Sequence, residues 1–227
     1  MSLKKYDIHA FGPLLATFEM PEELTDWLLE EANKVRGNEE LSANKNLAGQ
    51  LKEQYYFPDK IREEFYRRFN PVFSQYRNIH CDFHKLTPKK LEWGARVLWV
   101  NFMKKHEVNP MHNHGDDYSF VYFLNDVDLS EEYKNHVARS NLPGNVGFSF
   151  GEPSAPDRKW TTQQRWFQPK KNLLIMFPSL LEHYVIPFHT DVERVSVSGN
   201  IFIVNKENLQ TATGMGDPKN RQHEFYF

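Results

Sequence analysis

Within the stretch NPMHNHGDDYSFVYFLN, residues 109–125, three potential metal ligands stand at alternate positions: His112, His114 and Asp116. In an extended strand, residues i and i+2 point the same way, so side chains spaced by one residue can converge on one ion. Imidazole nitrogens with a carboxylate suit Fe(II), Mn or Zn. One histidine and one nearby carboxylate, completed by a distant histidine, would give a facial triad on Fe(II), which leaves coordination positions open. The competing reading is a solvated polar turn, because turns between strands are rich in Asp, Asn and Gly. Asp117 points to the opposite face of an extended strand and reads as a solvated turn residue.

The distant histidine has a candidate. NLLIMFPSLLEHYVIPF, residues 172–188, sets His183 between two apolar strand-like runs. Eleven residues later, ERVSVSGNIFI puts Arg194 and Ser196 on one strand face. A buried arginine is costly unless it meets an anion. Arg beside Ser can hold a carboxylate through charge-assisted hydrogen bonds. The order His-x-Asp, His, Arg-x-Ser therefore points to a metal and an organic acid in one barrel.

The elements that must position these residues follow from texture. The first third reads as helix-bearing. MPEELTDWLLEEANKVRG, residues 20–37, has Pro21 in the first turn, Glu22 and Glu23 at the positive end of the helix dipole, and Leu24, Trp27, Leu28, Ala32 and Val35 at helical spacing. DKIREEFYRRFNPVFSQYRNI, residues 59–79, gives Ile61, Phe65, Phe69, Val72, Phe73 and Tyr76 a common face, with Pro71 expected to kink it. From about residue 91 the chain breaks into short runs rich in β-branched and aromatic residues, punctuated by turn residues: ARVLWVNFMK, YSFVYFLN, NVGFSFG, NLLIMFPS, HYVIPF and RVSVSGNIFIVN. This predicts a mainly β protein whose core is a double-stranded β-helix (a cupin-like jelly roll) with N-terminal supporting helices. A single domain is expected over residues 1–227: helical support in 1–90, the jelly-roll core in 91–205 and a C-terminal tail in 206–227. Residues 128–168 read as an excursion over one end of the sheet, and QQRWF as core packing.

Composition narrows the classes. The 227 residues carry a net charge of −2, which argues against a nucleic-acid groove or an anionic membrane surface as partner. Cys81 is the one cysteine, so no intrachain disulfide and no Cys-x-x-Cys zinc pattern exists. It reads as a small buried hydrophobe rather than a nucleophile. The start, MSLKKYDIHAFG, lacks the apolar region of a signal peptide, and no window approaches the ~18 apolar residues of a membrane span. A soluble, cytoplasmic protein is the expectation. His9, His80, His84, His106, His136, His189 and His223 have no partner at ligand spacing.

MHNHGDDYSFVYFLN, LLIMFPSLLEHYVIPF and ERVSVSGNI resemble the hallmark segments of the 2-oxoglutarate/Fe(II)-dependent oxygenases. The likeness is to their uncharacterised bacterial and phage branch and to the wider prolyl-hydroxylase-like group, over residues ~95–205. The resemblance implies that His114, Asp116 and His183 hold Fe(II), with His112/His114/His183 as the alternative set and Asp116 then just outside it. It implies that Arg194, helped by Ser196, anchors the distal carboxylate of 2-oxoglutarate, that Tyr122 adds a hydrogen bond to it, and that Asn101 faces the same cavity. The implied activity is that of a dioxygenase. It would hydroxylate a small-molecule or peptidyl substrate with molecular oxygen and convert 2-oxoglutarate to succinate. The alternative is a non-catalytic cupin-like protein that binds a metal or a small acid.

Overall fold

The computed structural model describes residues 5–9, 13–84, 92–135, 140–151, 164–204 and 225–226. Two antiparallel sheets face each other. The larger runs β1 (Lys5–His9), β2 (Leu15–Glu19), β9 (Leu173–Pro178), β6 (Tyr118–Phe123), β11 (Arg194–Val204), β4 (Glu92–Met103) and β12 (Phe225–Tyr226), with β3 (Glu53–Tyr56) also on β4. The smaller runs β5 (Asn109–His112), β10 (Glu182–Val185), β7 (Val146–Ser149) and β8 (Gln164–Phe167). This is the double-stranded β-helix; apart from β1–β2 and β7–β8, neighbours in each sheet are far apart in sequence.

Alternation along the large sheet divides the interior in two. Phe120, Tyr122, Leu174, Met176, Val195 and Val197 face outward into a core shared with two helices. Their neighbours Val121, Phe123, Ile175 and Phe177 face inward, against Val146, Phe148 and Val185 of the smaller sheet. Helix α1 (Glu22–Val35) buries Leu24, Leu28, Ala32 and Val35 in the outer core. Helix α2 (Asp59–His84) buries Phe65, Phe69, Val72, Phe73, Tyr76 and Ile79 there. It runs through Pro71, which lies on the exposed side. Water can reach the carbonyl that the missing N–H leaves free, so the proline is tolerated inside the helix.

The first ninety residues are not only helical support, because β1, β2 and β3 extend the large sheet. Leu15, Ala16, Thr17 and Phe18 are buried in succession, so β2 lacks the alternation that would betray it. The 128–168 excursion contains a short helix α3 (Ser130–Asn135), β7 and β8. QQRWF contributes β8, where Trp166 Nε1 donates to Tyr184 Oη at 3.0 Å rather than entering the core. The predicted tail of 206–227 lies outside the described residues, apart from 225–226 on the edge of β4.

Close packing across the outer core has one strict position. At Gly199 a Cβ would sit 2.8 Å from Phe120 Cζ and collide with the Tyr66 hydroxyl, which donates to the Val97 carbonyl at 2.7 Å. Gly199→Ala is expected to destabilise by about 1–3 kcal/mol, the usual cost of overpacking. A thermal melt that leaves Tm unchanged would show that the helix and sheet can part here without cost.

Candidate metal centre

The smaller sheet brings two distant segments into register. β5 and β10 pair antiparallel with His112 opposite His183. His114 lies two residues on, past the end of β5, and its backbone N–H is held by the Ser179 carbonyl at 2.9 Å. The ring centroids of His112 and His183 are 4.2 Å apart, and His114 is 5.1 Å from each. Each of the three rings offers a ligand nitrogen, and these atoms all lie within 4.8 Å of one another.

Two of the three tautomers are also set. His112 Nδ1 lies 2.7 Å from the Pro110 carbonyl and His183 Nδ1 lies 2.9 Å from the Leu181 carbonyl. A carbonyl can only accept, so each ring carries its proton on Nδ1 and leaves Nε2 bare for a cation. Burial keeps the rings neutral. It lowers the pKa of His112, pulls that of His114 to about 4 and that of His183 to about 3; neighbouring histidines add to the last two shifts.

Asp116 does not join this group. β5 ends at His112, so the two-residue period does not carry on to 116. The intervening turn is pinned by Asp117, whose N–H donates to the Ile201 carbonyl at 3.0 Å and whose Oδ2 accepts from Ile203 N at 2.6 Å. Asp116 Oδ1 instead lies 3.8 Å from Arg96 Nε. Of the two sets, the side chains that come together among the described residues are those of the alternative, His112, His114 and His183.

Beside the imidazoles lies a cavity whose lining includes Trp99, Asn101 and Met103 from β4, Arg194, Ser196 and Ser198 from β11, and the three histidines. Arg194 is only 2% exposed. Its Nη1 donates to Ser196 Oγ at 3.2 Å and its guanidinium lies 4.8 Å from the centre of the Phe123 ring. Its Nε and Nη2 have no hydrogen-bond partner among the described residues. Burial pulls its pKa down to about 9, so it remains a cation at neutral pH. A buried cation with two unsatisfied nitrogens beside a cavity is costly by itself and calls for an anionic ligand.

Asn101 lines the same cavity, its Oδ1 accepting from Gln54 Nε2 at 2.8 Å. Tyr122 does not: its hydroxyl lies 2.5 Å from Thr25 Oγ1 of α1, in the outer core. Ser196 pairs with Phe123, so the inward parity of β6 belongs to Phe123 and Val121. Sequence reading missed Ser198, which continues the Arg194/Ser196 alternation, and Gln54, whose polar segment gives no strand signal.

The donor set fits a divalent ion, and the orphaned guanidinium fits a carboxylate. Two outcomes follow for the apo protein. Metal uptake near pH 7 is expected to release few protons from His114 and His183, because both are already neutral; calorimetry in buffers of different ionisation enthalpy checks this. Stability is expected to be full above pH ~6.5 and to fall as pH drops toward 4–3. In that window the unfolded histidines take up protons that the folded ones refuse. Denaturant melts across the range test this against a flat profile.

Residues 97–200 match the sequence model of a 2OG-Fe(II) oxygenase family. No curated protein is matched by the sequence. Among solved structures, a prolyl-4-hydroxylase of Pseudomonas putida superposes with a TM-score of 0.51 at 14% identity, covering 87% of this chain and 91% of that one. The non-haem α-ketoglutarate-dependent epimerase SnoN of nogalamycin biosynthesis gives 0.53 at 14% identity, covering 85% and 78%. EvdO2 of Micromonospora carbonacea var. aurantiaca, complexed with 2-oxoglutarate, gives 0.51 at 12% identity, covering 84% and 86%. These likenesses show the fold. The sequence match spans the segments that carry all three histidines and Arg194.

Proposed function

We propose that the protein is an Fe(II)- and 2-oxoglutarate-dependent dioxygenase that hydroxylates a C–H bond of a small-molecule or peptidyl substrate and yields succinate. The observation that carries the reading is the pairing of three neutral imidazoles with a buried guanidinium that has two unsatisfied nitrogens, on one cavity. His112, His114 and His183 would hold the iron. Arg194, with Ser196, would take the distal carboxylate of 2-oxoglutarate. Bound together, iron and the keto acid supply the oxidising power for the C–H bond.

The chain's own part is positioning. The Nδ1–carbonyl contacts fix two of the imidazole planes before any metal arrives. Gln54 holds the Asn101 side chain in the cavity wall. Phe123 packs on the guanidinium and Arg194 is buried from bulk water, which strengthens an ion pair formed there.

Anaerobic titration of the Fe(II) protein with 2-oxoglutarate tests the reading. A weak visible metal-to-ligand charge-transfer band, followed by succinate formation on admitting oxygen, is the expected result. Metal uptake with neither band nor succinate would instead make the protein a non-catalytic binder in the same fold.

A further inference from the structure

The paired strands that carry His112 and His183 have a second cross-strand histidine pair at their other end. His106 sits in the β4–β5 turn, six residues before His112; His189 lies six residues after His183. The His106 N–H donates to the Phe188 carbonyl at 2.7 Å, which continues the pairing of β5 and β10 beyond the sheet. The two Nδ1 atoms are 2.9 Å apart, with ring centroids at 4.9 Å, and both side chains are exposed. We propose that His106 and His189 form a second, exposed site for a borderline divalent cation of the Zn(II) or Ni(II) class, clipping the two strands at the end opposite the three-histidine centre.

Three observations support a built site rather than a chance approach. First, the spacing is right. At a metal–nitrogen length of ~2.0–2.1 Å, nitrogens about 2.9–3.4 Å apart subtend an angle between a right angle and a tetrahedral one. Second, both backbones are held by buried carboxylates. Glu107 accepts from Lys52 N and Lys104 N at 3.0 and 2.8 Å, fixing the turn in which His106 adopts φ 67°. Glu132 Oε2 accepts from His189 N, Thr190 N and Thr190 Oγ1 at 2.9, 3.0 and 2.8 Å. Third, negative charge is at hand. Glu132 Oε1 is buried without a hydrogen-bond partner among the described residues, on the carboxylate that grips the His189 loop. Lys105 pairs with Asp191 across the same two loops at 3.2 Å, so the charge of this neighbouring lysine is already compensated.

Without metal, one ring donates to the other. A cation would replace that shared proton, with water completing its coordination. Two protein ligands make this the weaker of the two centres, and its occupancy follows metal concentration.

The test counts ions on the full chain, with Zn(II) as the probe. Equilibrium dialysis with elemental analysis is expected to find two equivalents on the wild type and one on His106→Ala and on His189→Ala. His183→Ala, which damages the other centre, is expected to retain the second site. Zn(II) should also raise Tm more in the wild type than in His189→Ala. One equivalent on the wild type would overturn the proposal. So would a second equivalent that persists in both single variants, which would point instead to His80 and His84, neighbours on α2 with ring centroids 4.5 Å apart.

Discussion

Arg194→Ala is expected to weaken 2-oxoglutarate binding by roughly 10²- to 10³-fold or more while leaving the metal in place. Truncating one partner of a buried charge pair costs about 3–5 kcal/mol, because the remaining charge is stranded. Here the stranded group would be the carboxylate of the keto acid, facing Ser196 alone. The side chain is almost fully buried and makes one hydrogen bond among the described residues, to Ser196. The apo fold therefore gains little from it. Arg194→Met, which keeps the volume and drops the charge, is expected to match or exceed the wild-type Tm. The pair of variants separates lost binding from lost folding. Anaerobic titration reads the first and a thermal melt the second. Unchanged 2-oxoglutarate affinity in both would remove Arg194 from the cosubstrate site.

The second large effect distinguishes the ligand sets. His112→Ala is expected to lower Fe(II) affinity by well over ~100-fold. Asp116→Asn should cost no more than the ~10–100-fold typical of a group that only supports the ligands. His112 stands opposite His183 in the β5–β10 ladder, whereas Asp116 lies beyond the strand and beside Arg96. Equilibrium dialysis of the two variants decides. If Asp116→Asn loses the metal and His112→Ala keeps it, the facial His114/Asp116/His183 set is restored and the turn must rearrange on metal binding.

How much of this was legible in the sequence depended on parity. Arg194 and Ser196 could be assigned one face because β11 alternates cleanly, and that face does border the cavity. Asp116 was placed by extending the same period past the end of its strand; the Asp117 hydrogen bonds that break the period link residues 84 and 86 positions apart. Tyr122, which the resemblance sets beside the cosubstrate, lies in the outer core against Thr25. The parity of YSFVYF is fixed only by its register against β11, which local pattern does not contain. The helices were readable because their apolar spacing is local. β2 was not, because a strand buried on both faces shows no alternation. The His106–His189 contact spans 83 residues and left no spacing to read.

Three imidazoles carry no charge, and Nε and Nη2 of the Arg194 guanidinium meet no partner among the described residues. A divalent ion would therefore enter a cavity that is already positive and contains no counter-charge among its ligands. 2-Oxoglutarate, a dianion, would supply that missing charge at both ends, with its distal carboxylate on Arg194 as proposed. The two must then bind cooperatively. Whatever factor the keto acid contributes to iron affinity, iron returns to the keto acid, since equilibrium linkage is reciprocal. A carboxylate ligand would have divided that dependence. With the three-histidine set proposed above, iron retention should track the supply of 2-oxoglutarate, so that the oxygen-reactive metal is held firmly only when its cosubstrate is present.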